Sequence, residues 1–204
     1  CCAAALFASC DYWSEDWYKN GESENQPQAY TAVTATEVTT DYVSGKTFTI
    51  SIDGESTDFT IRFADGGKTG TVTRGSETGT ASYDGDVLTI TVSGETFYGW
   101  LRQINGTYYF SVNRLKKENG SAGLYGKWVW ESGRPLGAVS ALTYYSDGRA
   151  QREDDGRWAT WTCDGNGIMR YWWEETGVET GDSGRIVYTG NYIYAMDFLF
   201  TPKA

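Results

Sequence analysis

A recurring order of glycine-bearing turns constrains this chain more than any other feature. Gly45-Lys46-Thr47-Phe48 returns as Gly126-Lys127-Trp128-Val129, Ala64-Asp65-Gly66 as Ser146-Asp147-Gly148, and Asp84-Gly85-Asp86 as Asp164-Gly165-Asn166. Gly106-Thr107-Tyr108-Tyr109-Phe110-Ser111-Val112 returns as Gly190-Asn191-Tyr192-Ile193-Tyr194-Ala195-Met196. The landmarks keep their order and stand about 80 residues from their counterparts, the mark of a duplicated structural unit. Each unit has to bury an apolar face, so the local structure between landmarks decides the fold.

That local structure reads as strand. Residues 47–52, 58–63 and 87–92 alternate polar and apolar side chains, which puts one face of an extended chain inside. Asp65-Gly66, Asp84-Gly85, Ser93-Gly94 and Asn105-Gly106 supply tight turns, because glycine tolerates positive φ. In the second copy the strands fall near 127–131, 139–145, 149–152, 157–163, 167–174, 184–189 and 192–200. No segment sustains a helical period. The 25 glycines, 3 prolines and 16% aromatic residues suit short strands joined by turns.

The expected fold is all-β, with two tandem antiparallel meander β-barrel or sandwich repeats after a flexible N-terminal tether. A meander of six or seven strands closes on itself to remove exposed edges. The expected partition is 1–9 as the remnant of a signal peptide, 10–44 as a tether, 45–115 as the first repeat, 116–125 as a polar glycine-containing linker, and 126–204 as the second repeat. Two barrels side by side and one shared larger barrel both fit a duplication; the linker favours two.

Composition removes several functions. The chain has no histidine, which excludes histidine-based triads, histidine general bases and histidine metal ligands. Its 17 basic and 27 acidic residues give a net charge of −10, which opposes a nucleic-acid partner. Much of that surplus sits in residues 1–44, where Lys19 faces seven acids. No phosphate-binding glycine loop is present, and Asp164-x-Asn166 lacks the spacing of a calcium loop. No cofactor, metal site or catalytic residue is expected. The acid/base groups that remain are the Glu153-Asp154-Asp155 run, Glu174-Glu175 and Glu131. Each reads as a solvated turn residue rather than one of the paired carboxyls of a glycosidase.

The chain opens Cys1-Cys2-Ala3-Ala4-Ala5-Leu6-Phe7-Ala8-Ser9-Cys10-Asp11, small and apolar and then abruptly polar. This resembles the end of a bacterial lipoprotein signal peptide, with Leu6-Phe7-Ala8-Ser9-Cys10 as the lipobox. The resemblance implies that Cys10 is lipidated and that the protein sits at the outer membrane or cell surface, touching the membrane through its lipid anchor alone. Residues 11–44 are rich in Ser, Glu, Asn, Gln and Thr, as a spacer would be. Removing them is expected to leave the fold intact. With the signal segment gone and Cys10 acylated, Cys163 is the one thiol left, and it reads as a small apolar strand residue.

Gly126-Lys127-Trp128, the run 142–148, Gly156-Arg157-Trp158 and the run 164–168 follow one another in an order similar to that of short lipocalin-like domains in secreted bacterial lipoproteins. Those domains are meander barrels that begin with Gly-x-Trp. The likeness is best over 126–202 and weaker over 45–115, where Thr47 stands in place of the tryptophan. It implies that Gly126 and Trp128 are structural, with Trp128 plugging one end of a barrel.

The aromatic residues are the functional clue. Six of the nine tryptophans lie in the second repeat. Neighbours along a strand face opposite ways, so Trp172 and Trp173 cannot both be interior, and Tyr144 and Tyr145 are divided likewise. Outward rings suit stacking on sugars or docking a protein. Trp172, Trp173, Trp161 and Tyr144 are the ligand-binding candidates. The expected role is a non-catalytic binding or interaction module of the cell envelope, whose partner is a glycan, a small apolar ligand or an envelope protein. A self-assembling surface protein is the alternative, and a carboxylate-based glycoside hydrolase comes after it.

Overall fold

The computed structural model describes residues 30–52, 55–119, 123–132, 141–174, 179–180, 186–196 and 198–203. Cys10, the 1–9 segment and most of the 10–44 tether lie outside them. In chain order the elements are β1 (Ala35–Glu37), α1 (Thr40–Val43), β2 (Thr47–Ile52), β3 (Glu55–Phe63), β4 (Thr69–Arg74), β5 (Glu77–Tyr83), β6 (Val87–Val92), β7 (Glu95–Ile104), β8 (Thr107–Ser111) and β9 (Asn113–Asn119). They continue with β10 (Gly126–Ser132), β11 (Ala141–Tyr144), β12 (Arg149–Arg152), β13 (Trp158–Cys163), β14 (Met169–Trp173), β15 (Glu179–Thr180), β16 (Ile186–Tyr188), β17 (Tyr192–Ala195) and β18 (Phe198–Pro202). The fold is all-β, with two antiparallel eight-stranded barrels.

Strands β2 to β8 pair in succession, and β18 lies between β8 and β2, which closes the first ring. Two-residue alternation builds it: Phe48 and Ile50 of β2 and Leu88, Ile90 and Val92 of β6 face the core, while Thr47, Thr49, Thr89 and Thr91 face outward. Phe63, Val72, Leu101, Phe110 and Phe200 complete a mainly aliphatic and phenylalanine interior, to which Tyr83 adds a buried phenol. Gly99 is required by close approach: a Cβ there would lie 2.4 Å from the Ser111 carbonyl oxygen on β8.

The second ring runs β9-β10-β11-β12-β13-β14-β16-β17, with β17 paired back onto β9. Its last seam, between β14 and β16, is held among the described residues by the bridge Ile168↔Val187 and its Tyr188–Gly167 hydrogen bond, and this barrel is nearly closed. Its interior is richer in polar-tipped rings: Trp128, Tyr144, Trp161, Tyr171 and Tyr188.

The repeat landmarks occupy the same turns in the two rings. The 64–66 and 146–148 turns join β3 to β4 and β11 to β12; the 84–86 and 164–166 turns join β5 to β6 and β13 to β14. The eighth strand of each ring, between β8 and β2 or between β17 and β10, comes from a different place in the chain. The second ring begins with it, as β9, whereas the first ring receives it last, as β18.

The sheets therefore divide the chain differently from the sequence partition. Phe198–Pro202, counted with the second repeat, belongs to the first ring. Residues 116–119, read as linker, are strand in the second ring, as are 113–115, counted with the first. Strands β8 and β9 follow each other with Val112 between them, opposite β18 and β17, so one two-stranded ribbon passes through both barrels. Asn113↔Ala195 and Phe110↔Phe198 show the register unbroken across the crossing. The Ser111 hydroxyl bonds there to the Asn113 and Ala195 carbonyls.

The outer faces of the two barrels meet beside the ribbon. Trp100, Ile104, Val187, Tyr194 and Met196 form a buried cluster there. Arg102 is 3% exposed and keeps its guanidinium satisfied, with Nε donating to Tyr194 Oη at 3.2 Å, Nη1 to the Leu101 carbonyl at 3.0 Å and Nη2 to Asp86. A buried guanidinium without such partners would cost several kcal/mol, on the order of 3–5. Arg114 lies 3.8 Å from the Trp100 ring centre and 4.1 Å from that of Tyr192, and its Nε donates to Glu131 at 2.6 Å.

Residues 30–44 are packed structure rather than tether. Val33 and Ala35 pack against the inter-barrel cluster, and β1 pairs with β7. Val38 and Val43 are buried in the first core. Removal of 11–44 would strip these side chains from both places, contrary to the sequence expectation.

Candidate functional site: the outer aromatic face of the second barrel

Strands β12, β13 and β14 turn one set of alternating side chains outward here. On β13, Ala159, Trp161 and Cys163 are buried, so Trp158, Thr160 and Thr162 face outward. On β14, Met169 and Tyr171 are buried and Trp173 packs on the core, so Trp172 faces outward. Thr160 is opposite both Arg149 of β12 and Trp172 of β14, and Gln151 is opposite Trp158. Trp158 and Trp172 are thus diagonal neighbours on one surface, within reach of large side chains.

Tyr145 joins them from the end of β11. It is 38% exposed, among the most exposed large hydrophobic side chains of the described structure, and its ring centre is 5.4 Å from that of Trp158. The Arg149 guanidinium covers the Trp158 ring at 4.7 Å, and Asp147 holds that guanidinium at 2.9 Å. Burial pushes the Asp147 carboxyl up, but hydrogen bonds from Arg149 outweigh it and hold the group below its ordinary value. Trp158 is the buttress of this face. Tyr145 and the half-buried Trp172 add ring surface to this face, framed by Arg149, Gln151 and Thr160.

Of the four ligand-binding candidates from the sequence, Trp172 lies on this face. Trp173, its chain neighbour, packs against the core with the Arg152 guanidinium 5.5 Å from its ring. Trp161 and Tyr144 are interior, each 1% exposed. Trp161 Nε1 donates to the Arg149 carbonyl at 2.9 Å, and the Tyr144 and Tyr171 hydroxyls bond to each other at 2.5 Å. Burial pushes both phenols well above the ordinary tyrosine value. Tyr145, Trp158 and Arg149 were missed. The alternation that sets Tyr144 against Tyr145 and Trp161 against Trp158 contained the signal, without saying which member of each pair is inside.

Trp128 is fully buried, its Nε1 donating to the Leu124 carbonyl at 2.8 Å and its ring edge-on to Tyr144 and Tyr188. Gly126 has a φ of 111°, which favours glycine at the start of β10.

The carboxylates form surface ion pairs. Glu153 meets Lys127 at 2.9 Å, Asp154 meets Arg152 at 2.9 Å, and Asp155 bonds Arg152 and lies 3.0 Å from Arg157. Glu131 is held by Arg114. Among the described residues no group of three or more His, Cys, Asp or Glu is placed to hold a metal ion. Burial pushes the Cys163 thiol up to about 12, which leaves it almost wholly protonated and unreactive at neutral pH. No helix among the described residues is long and apolar enough to cross a membrane.

Fold and face together define a two-barrel β protein with a partly exposed aromatic face on its second barrel. No protein family, no curated protein and no solved structure matches this chain.

Proposed function

We propose that the protein is a non-catalytic binding module of a bacterial cell envelope, tethered through a lipid on Cys10, that holds a neutral oligosaccharide against the outer face of β12–β14. The observation that carries this reading is the ring surface of Tyr145 and Trp172, presented beside Arg149, Gln151 and Thr160 on a rigid sheet. Sugar rings offer apolar C–H faces and a rim of hydroxyls, so flat rings with polar side chains around them match that chemistry. Arg149 is already neutralised by Asp147, which favours an uncharged ligand over an anionic one. An open face covers only part of a ligand, so affinity is expected in the high micromolar to millimolar range, about −4 to −6 kcal/mol.

The test is a titration of intrinsic tryptophan fluorescence with cello-, xylo-, manno- and chito-oligosaccharides. A saturable response weakened at least tenfold by Tyr145→Ala or Trp172→Ala is the expected result. Phe in place of the inward Trp173 is expected to leave affinity unchanged. Silence across the panel, or equal loss in all three variants, would overturn the reading and turn attention to a protein partner.

A further inference from the structure

The second barrel is closed least well at one seam, and a segment from outside the ring lies across it. Among the described residues the β14–β16 seam carries the bridge Ile168↔Val187 and the Tyr188 amide donating to the Gly167 carbonyl at 2.8 Å. The other ladders of this ring run over several residues. Residues 30–33 cover this place. The Val33 amide donates to the Tyr188 carbonyl at 3.0 Å. Gly167 is so closely covered that a Cβ there would meet the Thr31 carbonyl oxygen at 3.0 Å and the Val33 side chain at 3.2 Å. The Thr31 backbone hydrogen-bonds the Cys163 thiol beneath it. Tyr30 pins the end of the segment, its ring edge-on to Tyr125 and Tyr188 and its hydroxyl accepting the Leu124 amide at 3.1 Å.

We infer that residues 30–33 are a latch on the seam of the second barrel, which lifts as a unit, opens β14 from β16 and uncovers Cys163 while the first barrel stays closed. The attachment is small, an aromatic end, the partly buried Val33 side chain and few backbone hydrogen bonds, so it belongs to the low-energy end of local opening. The next anchors along the chain, β1 on β7 and Val38 and Val43 in the first core, hold the segment independently. Residues 1–29 precede the latch, so a pull or a partner acting on them reaches the second barrel through Tyr30. Cys163 is a built-in reporter, since it is buried under the latch.

The experiment uses the full chain with Cys1→Ser, Cys2→Ser and Cys10→Ser, which leaves Cys163 as the one thiol, and follows its modification by an aromatic disulfide reagent. Tyr30→Ala is expected to speed modification at least tenfold, with amide exchange at Phe48, Val72 and Leu101 in the first barrel unchanged. Tyr30→Phe, which loses the bond from Leu124 but keeps the ring, is expected to give a smaller rise and keeps the test open should Tyr30→Ala not fold. Val43→Ala, which loosens the first core, is expected to leave the Cys163 rate as it was. An unchanged rate in the Tyr30 variants overturns the latch. So does a rise accompanied by lost protection in the first barrel, or an equal rise in Val43→Ala.

Discussion

The two barrels share a strand order but solve the problem of their interiors differently. The first fills its ring mainly with Phe48, Ile50, Phe63, Val72, Leu88, Ile90, Leu101 and Phe200, side chains with nothing to hydrogen-bond, and its buried Tyr83 donates to the Val38 and Gly85 carbonyls. The second uses Trp128, Tyr144, Trp161, Tyr171 and Tyr188, whose polar tips must each find a partner once buried. Trp128 reaches the Leu124 carbonyl, Trp161 the Arg149 carbonyl, and Tyr144 and Tyr171 reach each other. The difference teaches where each ring is vulnerable. The first depends on its closing strand, which arrives at the end of the chain. The second depends on a few large rings and their hydrogen bonds, and its seam is held by a bridge and a latch.

The largest expected effect breaks the comparison at its topology. Deleting residues 198–204 removes β18 and leaves β2 and β8 with unpaired edges. Amide protection in the first ring is expected to collapse, while the near-ultraviolet dichroism of the buried tryptophans in the second ring persists. Loss of both signals together would show that the rings are one cooperative unit.

Next in size, Trp128→Ala is expected to destabilise the second barrel by about 3–5 kcal/mol through a large buried cavity. Denaturant unfolding checks it, and an unchanged midpoint would remove Trp128 from its structural role.

Alkali sharpens the contrast further. Burial raises the Tyr144 and Tyr171 phenols above their ordinary 10.0, because the interior disfavours the anion. A group whose folded value is raised stabilises fully below the unfolded value, and that stability is lost as pH climbs through the folded one. Stability should therefore fall above pH 10, and the second ring, with Tyr188 raised as well, should lose its amide protection before the first, where Tyr83 is raised. Simultaneous loss would contradict the division of interiors.

The smallest effect concerns the surface. Hydrogen bonding from Arg152 lowers the Asp155 carboxyl to about 2 against an opposing desolvation, with the Arg157 amide and the two guanidinium charges helping. A depressed carboxyl stabilises above its unfolded value and loses that contribution as pH falls through the folded one, here between about 4 and 2. The pair is exposed and screened, so salt should shrink the effect. An Asp155 titration by NMR that moves toward its ordinary value in Arg152→Ala is the expected outcome.

Much of this was legible in the sequence. Period-two alternation gave the strands, and the glycine turns at 64–66, 84–86, 146–148 and 164–166 mark the same corners of the two rings. What local pattern does not carry is partner choice. Residues 192–200 read as one strand run, yet the chain crosses between barrels after Ala195, because pairing depends on edges left open far away in sequence. Residues 30–44 have no period, and Val33, Val38 and Val43 find separate slots that only the assembled barrels create. Alternation likewise separates Trp172 from Trp173 and Tyr144 from Tyr145 without naming the inner member; that is set by which strands surround them.

The most direct test of this account is the placement of the last strand, measured as backbone proton contacts by NMR in the full chain. Contacts from Leu199 to both Ser51 on β2 and Tyr109 on β8 are the predicted result. Contacts from residues 198–202 to strands of the second ring, or to no strand at all, would contradict a first barrel closed by the end of the chain.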